Sequence, residues 1–373
     1  MDRVVGVVGL GTMGLGIVLV YAQAGFTVLA TDSFPAARAS AREKLTAALA
    51  PRLAKGALDQ ATHDAILDRI TIVDDLAGLA PAGLVVEAII ETLAAKQELV
   101  AGLEAVLAPD AVIATNTSSL AVTAIATGAK RPDHILGLHF FNPAQVMKLV
   151  ELVGHGGTSP ASLTRARVWT VAAGKVVIDA PDRPGFIVNR CARPFYGEAL
   201  ALLEEGRSAS EIDAAMQAAG FRIGPLGLID LIGADINLAA TEGLSRAMGG
   251  HPRYRVFAAL RDQVAAGRLG RKSGQGFVFP GETGAPPADS ADIALRIEAT
   301  LVNEAGWLLA EGGTTRDGID SALKLGLNFP RGPFEMLVLH GQDRVRATLA
   351  GLEAAAPPHL KTRYLPSPIL EPT

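Results

Sequence analysis

Two residues with complementary chemistry stand out when the chain is read from its side chains. His139 closes the run Ile135-Leu136-Gly137-Leu138, and Glu151 sits inside Leu149-Val150-Glu151-Leu152-Val153, which otherwise reads as buried strand. A carboxylate in such a run needs a partner, because desolvating it unpaired is costly. His139 can be that partner if the two strands lie side by side, and the contact would then fix the imidazole tautomer. A histidine so held can accept and return one proton near neutral pH, which is acid/base chemistry. A histidine beside apolar residues is more often structural, and Glu151 could equally answer a Lys or Arg. Of the seven histidines, His139 is the one at a predicted strand end in the N-terminal part of the chain.

A second constellation is Gly9-Leu10-Gly11-Thr12-Met13-Gly14, directly after the valine-rich run 4–8 and before a helical stretch. Unpaired N–H groups at a helix start favour a pyrophosphate. Gly9 allows the tight turn, Gly11 lets the backbone approach the phosphates, and Gly14 lets helix and strand pack closely. Asp32 ends the next strand, where an acid accepts from ribose hydroxyls and repels a 2′-phosphate. This favours NAD over NADP, while a helix-start aspartate is the plainer alternative. Residues 114–119, Ala114-Thr115-Asn116-Thr117-Ser118-Ser119, bring hydroxyls and an amide to another strand end. They line a ligand crevice or cap a helix equally well. Asn189 could reach into the crevice or could serve as a hinge or capping amide.

The elements that must position these groups follow from hydrophobic periodicity. Strands are predicted at 4–8, 26–30, 70–73, 84–89, 111–115, 135–139, 146–153 and 175–179. Helices are predicted near 15–24, through 35–70, and near 93–107 and 160–173. Alternation of this kind predicts an α/β Rossmann-type doubly wound sheet. From 186 onward helices dominate, so an all-α C-terminal region is expected. That region repeats internally: Glu198 to Gly206 matches Glu304 to Gly312, Ile212-Asp213 matches Ile319-Asp320, and Gly224-Pro225 matches Gly332-Pro333. The turn-rich stretches Asp179 to Gly185, also a predicted hinge, and Pro280 to Ser290 divide the chain into three expected domains. Residues 1–184 form the NAD-binding domain, 185–282 the first helical copy and 283–373 the second.

Composition narrows the function classes. Half the chain is apolar (49%) and 19% is charged, which describes a globular enzyme rather than a disordered chain. Net charge is −4 with no long basic run, so nucleic acid is not an expected partner. Cys191 is the single cysteine, which excludes an internal disulfide and a cysteine-based zinc site. No metal is expected. Met1-Asp2-Arg3 leads straight into a strand, and no apolar run approaches a membrane span, so neither leader nor membrane is expected and the location is read as cytoplasmic.

Taken together, the strings 9–14, Asn116-Thr117-Ser118-Ser119-Leu120, Gly137-Leu138-His139-Phe140-Phe141-Asn142-Pro143, Met147-Lys148-Leu149-Val150-Glu151, 184–190 and 270–277 resemble the L-3-hydroxyacyl-CoA dehydrogenase family. The run Arg193-Pro194-Phe195-Tyr196-Gly197-Glu198 looks like its bacterial members with two helical domains, which act on 3-hydroxybutyryl-CoA or 3-hydroxyadipyl-CoA. The resemblance implies NAD-dependent oxidation of a short-chain (3S)-3-hydroxyacyl-CoA. His139 would be the base, Glu151 its orienting carboxylate, Ser118 the contact to the 3-oxygen and Asn189 the substrate-positioning amide. Gly9, Gly11, Thr12, Met13, Gly14, Asp32 and Asn116 would hold NAD, with Glu91 and Lys96 near its ribose and nicotinamide and Lys55 on CoA. A terminal carboxylate on the acyl chain would need Arg190, Arg193 or Arg222. Two departures are visible. Gly227 stands where the family often has an acid that Glu335 keeps, and Leu295 falls where the second copy would repeat Asn189. One active site per chain is therefore expected, in a monomer or homodimer. The competing readings are a polyol-acid (gulonate-type) dehydrogenase of the same superfamily and a non-catalytic NAD-binding structural protein.

Overall fold

In the computed structural model, which describes residues 3–371, the opening valine-rich run forms β1 (Val4–Val8). Met1 and Asp2, on which the expectation of no leader rests, and residues 372–373 lie outside the described residues. The other strands are β2 (Thr27–Thr31), β3 (Ile70–Ile72), β4 (Leu84–Glu87), β5 (Val112–Thr115), β6 (Ile135–Phe140), β7 (Leu149–Gly154) and β8 (Val176–Pro181). Between them run α1 (Thr12–Gln23), α2 (Pro35–Ala54), α3 (Gln60–Asp68), α4 (Leu93–Val106), α5 (Val122–Ala126) and α6 (Pro160–Ala172). All eight strands join one sheet in the order β3-β2-β1-β4-β5-β6-β7-β8. The first six are parallel, β7 runs antiparallel to β6, and β8 is parallel to β7. The expected doubly wound, largely parallel sheet is therefore present, and the order reverses between β1 and β4, where ligand crevices form. Every residue of β4, β5 and β6 is buried, as strands covered on both faces must be.

One strand differs from the expectation. The sequence suggests a start at 146, but β7 begins at Leu149. Residues 143–147 instead turn on themselves, with the N–H groups of Val146 and Met147 donating to the Pro143 carbonyl. The buried Lys175 ammonium clamps this turn by donating to the carbonyls of Ala144 (2.5 Å) and Met147 (2.7 Å).

The chain divides into two compact units at Arg183/Pro184, one residue from the first expected boundary. The second unit is helical: α7 (Val188–Cys191), α8 (Arg193–Glu204), α9 (Ala209–Ala218), α10 (Pro225–Ile232), α11 (Ala234–Ala247), α12 (Ala258–Ala265), α13 (Ser290–Glu311), α14 (Arg316–Leu327), α15 (Pro333–His340) and α16 (Gln342–Ala355). Its residues on either side of 283 share one compact unit, because the long α13 packs on α8 and α9 as well as on α15 and α16. Two buried glutamates knit them. Glu304 receives Arg190 Nε at 2.7 Å, Tyr254 Oη at 2.5 Å and the charge of Arg253 at 3.0 Å. Glu198 receives Arg296 Nε at 2.8 Å, Arg363 at 3.0 Å and Tyr364 Oη at 3.0 Å.

In the first unit the β1–α1 turn leaves little room. A Cβ on Gly14 would collide with the carbonyl oxygen of Gly9. Gly14→Ala is therefore expected to lower stability by about 1–3 kcal/mol or more, since strand and helix must part to admit a methyl group. Urea unfolding checks this, and an unchanged midpoint would mean that the turn is looser than described.

Candidate active site

The carboxyl ends of β1, β4, β5 and β6 open on the same edge of the sheet, and the loops leaving them carry most of the residues singled out above. After β1, Gly9 has a φ of +97°, which only glycine adopts readily, and its N–H donates to the Thr31 carbonyl at 2.9 Å. Gly11 is the N-cap of α1 and offers no side-chain cap, and the first turn has no acid. A Cβ at Gly11 would meet nothing within 4 Å, so the backbone is open on that side. Thr12 is exposed and Met13 half-buried at the same helix start. Uncapped N–H groups facing open space fit a pyrophosphate.

Asp32 follows β2. Its Oδ2 accepts the Leu10 N–H at 2.7 Å and its Oδ1 the Phe34 N–H at 2.9 Å, while Arg38 donates to its backbone carbonyl at 2.6 Å. The carboxylate is thus tied to the glycine loop, and each oxygen retains acceptor capacity for a ribose hydroxyl. The residues present fit NAD.

Behind the loops lies an acid network that includes Glu91 and Lys96 and is centred on Glu87, a residue that the sequence reading did not single out. Glu87, fully buried at the end of β4, receives Lys96 Nζ at 2.8 and 3.0 Å, the Thr115 hydroxyl and the Ile89 N–H at 3.2 Å. Its signal was available, because it is a carboxylate ending the apolar run Leu84-Val85-Val86, the criterion that picked out Glu151. Lys96 is buried beneath this network and also approaches Glu91 at 3.3 Å. Glu91 Oε1 gathers the Thr117 hydroxyl (2.6 Å), the Ser118 N–H (2.9 Å), the Ser119 N–H (3.1 Å) and the Ser119 hydroxyl (2.9 Å). Partial burial alone would push the Glu91 carboxyl up, but these hydrogen bonds and the Lys96 charge outweigh it and hold the group below its ordinary pKa. Glu91 therefore fixes the loop that presents the exposed Ser118. Asn116 joins two strands: its N–H donates to the Glu87 carbonyl at 2.9 Å and its Oδ1 accepts the Phe140 N–H at 2.8 Å.

His139 and Glu151 are directly opposite each other in the β6–β7 register. Opposed side chains project from the same face of a sheet. His139 Nδ1 and Glu151 Oε2 are 2.6 Å apart, with the His139 side chain 7% exposed and that of Glu151 fully buried. An ionised carboxylate only accepts, so Nδ1 carries the proton and Nε2 is the basic nitrogen of the neutral ring. The Phe141 ring, 4.6 Å from the imidazole centroid, packs against it.

Two of the expected residues are carried on helices. Lys55 is exposed at the C-terminal end of α2, and no hydrogen bond or ion pair joins its ammonium to another described residue. Asn189 is half-buried on α7 of the helical unit, where its carbonyl accepts Arg193 Nε at 2.9 Å. Among the described residues no cluster of three or more His, Cys, Asp or Glu is placed to hold a metal ion, and no helix is long and apolar enough to cross a membrane.

Comparison with known proteins gives the family. Residues 4–183 match the 3-hydroxyacyl-CoA dehydrogenase NAD binding domain, and residues 185–279 together with 293–372 match the 3-hydroxyacyl-CoA dehydrogenase C-terminal domain. The chain is 44% identical over 276 residues to a 3-hydroxyadipyl-CoA dehydrogenase of Escherichia coli, an alignment that spans 74% of this chain but 58% of the relative's length. It is 38% identical over 273 residues to a probable 3-hydroxybutyryl-CoA dehydrogenase of Bacillus subtilis, covering 73% of this chain and 95% of that one. A crystal structure of 3-hydroxybutyryl-CoA dehydrogenase from Escherichia coli K12 superposes with a TM-score of 0.91 at 32% identity, covering 99% of this chain and 98% of that chain. Sheet and helices alike, the chain belongs to the 3-hydroxyacyl-CoA dehydrogenase family of NAD-dependent oxidoreductases.

Proposed function

We propose that the protein interconverts a short-chain (3S)-3-hydroxyacyl-CoA and its 3-oxoacyl-CoA, with His139 as acid/base. The observation that carries this reading is the in-register His139–Glu151 pair on the sheet edge that also holds the glycine loop. In oxidation, His139 Nε2 takes the proton of the 3-hydroxyl. Glu151, already hydrogen-bonded to Nδ1, stabilises the imidazolium that forms and keeps the ring oriented. NAD, when bound, supplies the hydride acceptor. Ser118 orients the 3-oxygen from a loop held by Glu91, Asp32 holds the ribose, and Asn116 keeps the β5 and β6 ends in register. Lys96 acts on the cofactor site through Glu87 and Glu91 rather than by direct reach. Asn189 of the helical unit positions the substrate's polar groups, and Lys55 serves CoA.

The helical unit is read as two copies of one domain, 185–282 and 283–373. In support, Asp213 accepts the N–H groups of Leu226 and Gly227 at 2.9 and 2.7 Å, and Asp320 accepts those of Phe334 and Glu335 at 2.8 and 3.2 Å. The buried ion pairs are reciprocal too: Arg190 and Arg296, Glu198 and Glu304, and Tyr254 and Tyr364 hold matching places. Self-complementary exchange of this kind is what a two-fold interface requires. With that surface supplied within one chain, a monomer or homodimer is expected, and a tetramer in light scattering would count against this reading.

NADH absorbance with acetoacetyl-CoA tests the reaction. Wild-type protein should oxidise NADH, and His139→Gln or Glu151→Gln should lower kcat by roughly 10²–10⁴-fold while NADH still binds. Undiminished turnover in either folded variant would remove the acid/base assignment.

Glu91 gives a pH-dependent expectation. Its pKa is depressed in the fold, so its contribution to stability is present above the ordinary carboxylate range and is lost as pH falls through the folded value. Glu91→Gln should therefore be less stable than wild type at neutral pH, with the gap closing in acid below about pH 4. Urea midpoints across pH report this, and a pH-independent gap would refute the depressed carboxyl.

A further inference from the structure

The junction between α7 and α8 keeps helical backbone at Ala192. Asn189, Arg193 and Tyr196 are therefore placed at i, i+4 and i+7, on one helical face. Arg193 donates from Nε to the Asn189 carbonyl (2.9 Å) and from Nη1 to the Thr241 hydroxyl (3.0 Å), and its guanidinium lies 5.0 Å over the Tyr196 ring. Arg193 is 8% exposed and Tyr196 3%. Among the described residues no carboxylate pairs with Arg193, and no acceptor takes its second terminal nitrogen. The Tyr196 hydroxyl and the Asn189 side-chain amide are likewise without a hydrogen-bond partner among the described residues.

The neighbouring arginines behave differently. Arg190 is held by Glu304 and Glu311, and Arg363 and Arg296 are held by Glu198. Arg193 is thus a desolvated cation without a counter-ion among the described residues. Burial pulls its pKa below the ordinary arginine value. An arrangement that costs stability on each count is relieved by an anion that accepts from the guanidinium and the phenol together.

We propose that Arg193, with the Tyr196 hydroxyl beside it, receives the terminal carboxylate of a dicarboxylyl 3-hydroxyacyl-CoA and sets the enzyme's preference for acidic acyl chains. The proposal rests on the reading of Asn189 as a substrate-positioning amide. Residues one helical turn apart are separated by about 5–6 Å, a span that a short acyl chain covers between its oxygenated carbon and its far end. The CoA phosphates carry similar chemistry, but they lie at the other end of the pantetheine arm. Arg190 is already neutralised, and Arg222 is exposed.

The test uses the full-length enzyme with NADH and two six-carbon 3-oxoacyl-CoA thioesters, one ending in a methyl group and one in a carboxylate. Wild type should prefer the acid. Arg193→Met should lower the acid-to-methyl ratio of kcat/KM by roughly 30-fold or more, mainly through KM. Arg193→Lys should restore part of the ratio, because charge without the fork remains, and Tyr196→Phe should lower it several-fold. Equal losses on both thioesters would overturn the proposal in favour of a CoA-phosphate contact or a packing role. An unchanged ratio, or a wild type indifferent to the carboxylate, would overturn it outright. Absence of wild-type turnover with both thioesters would remove the dehydrogenase reading and this proposal together.

Discussion

Glu151 lies in the middle of a strand with no exposed surface, and an ionised carboxylate there costs several kcal/mol unless fixed donors meet it. The antiparallel turn of β7 against β6 supplies the donor by setting His139 opposite. Much of the rest of the first unit follows the same requirement. Glu87 is met by Lys96 and Thr115, and Glu91 by a serine-threonine loop. These carboxylates draw the ends of β4, β5 and β6 into fixed positions around the glycine loop. The electrostatics that would be costly in a plain core here act as the positioning framework for the candidate chemistry.

Much of this was legible in the chain. Alternation and glycine placement revealed the strands to within a few residues, because a central parallel strand must be apolar at every position. The pairing of His139 with Glu151 could be anticipated because a single acid in an apolar run demands a nearby partner. The same rule applied to Glu87 would have exposed Lys96 as its partner. Instead Lys96 entered as a cofactor contact, since resemblance conveys a position's role without the geometry through which it acts. The late start of β7 was not legible, because Lys175, which holds the preceding turn, lies beyond the strand in sequence.

The arginines mark the limit more sharply. Arg190 and Arg193 sit three residues apart, and nothing local distinguishes them. Their difference comes from partners far along the chain: Glu304 and Glu311 reach Arg190, and no acid reaches Arg193 among the described residues. Pairings of such long sequence separation depend on the packing of α7 and α8 against α13, which periodicity does not specify. The internal likeness of the helical region was visible as repeated strings, whereas the way its buried charges cross from one side of residue 283 to the other was not.

That crossing has a consequence for how the protein is made. Glu198 acquires Arg363 and Tyr364 from positions 165 and 166 residues downstream, and Arg190 acquires Glu304 only after 114 more residues. At a ribosomal pace of roughly 5–20 residues per second, Glu198 waits on the order of 8–30 s before its last partners exist. Throughout that interval the nascent helices carry charges that they cannot yet bury. The sheet, whose strands are all complete by Pro181, can mature in the meantime. Completion of the helical unit is therefore tied to the synthesis of residues 363 and 364, and a ribosome that stalls short of them leaves a finished sheet attached to helices whose buried Glu198 lacks its last partners.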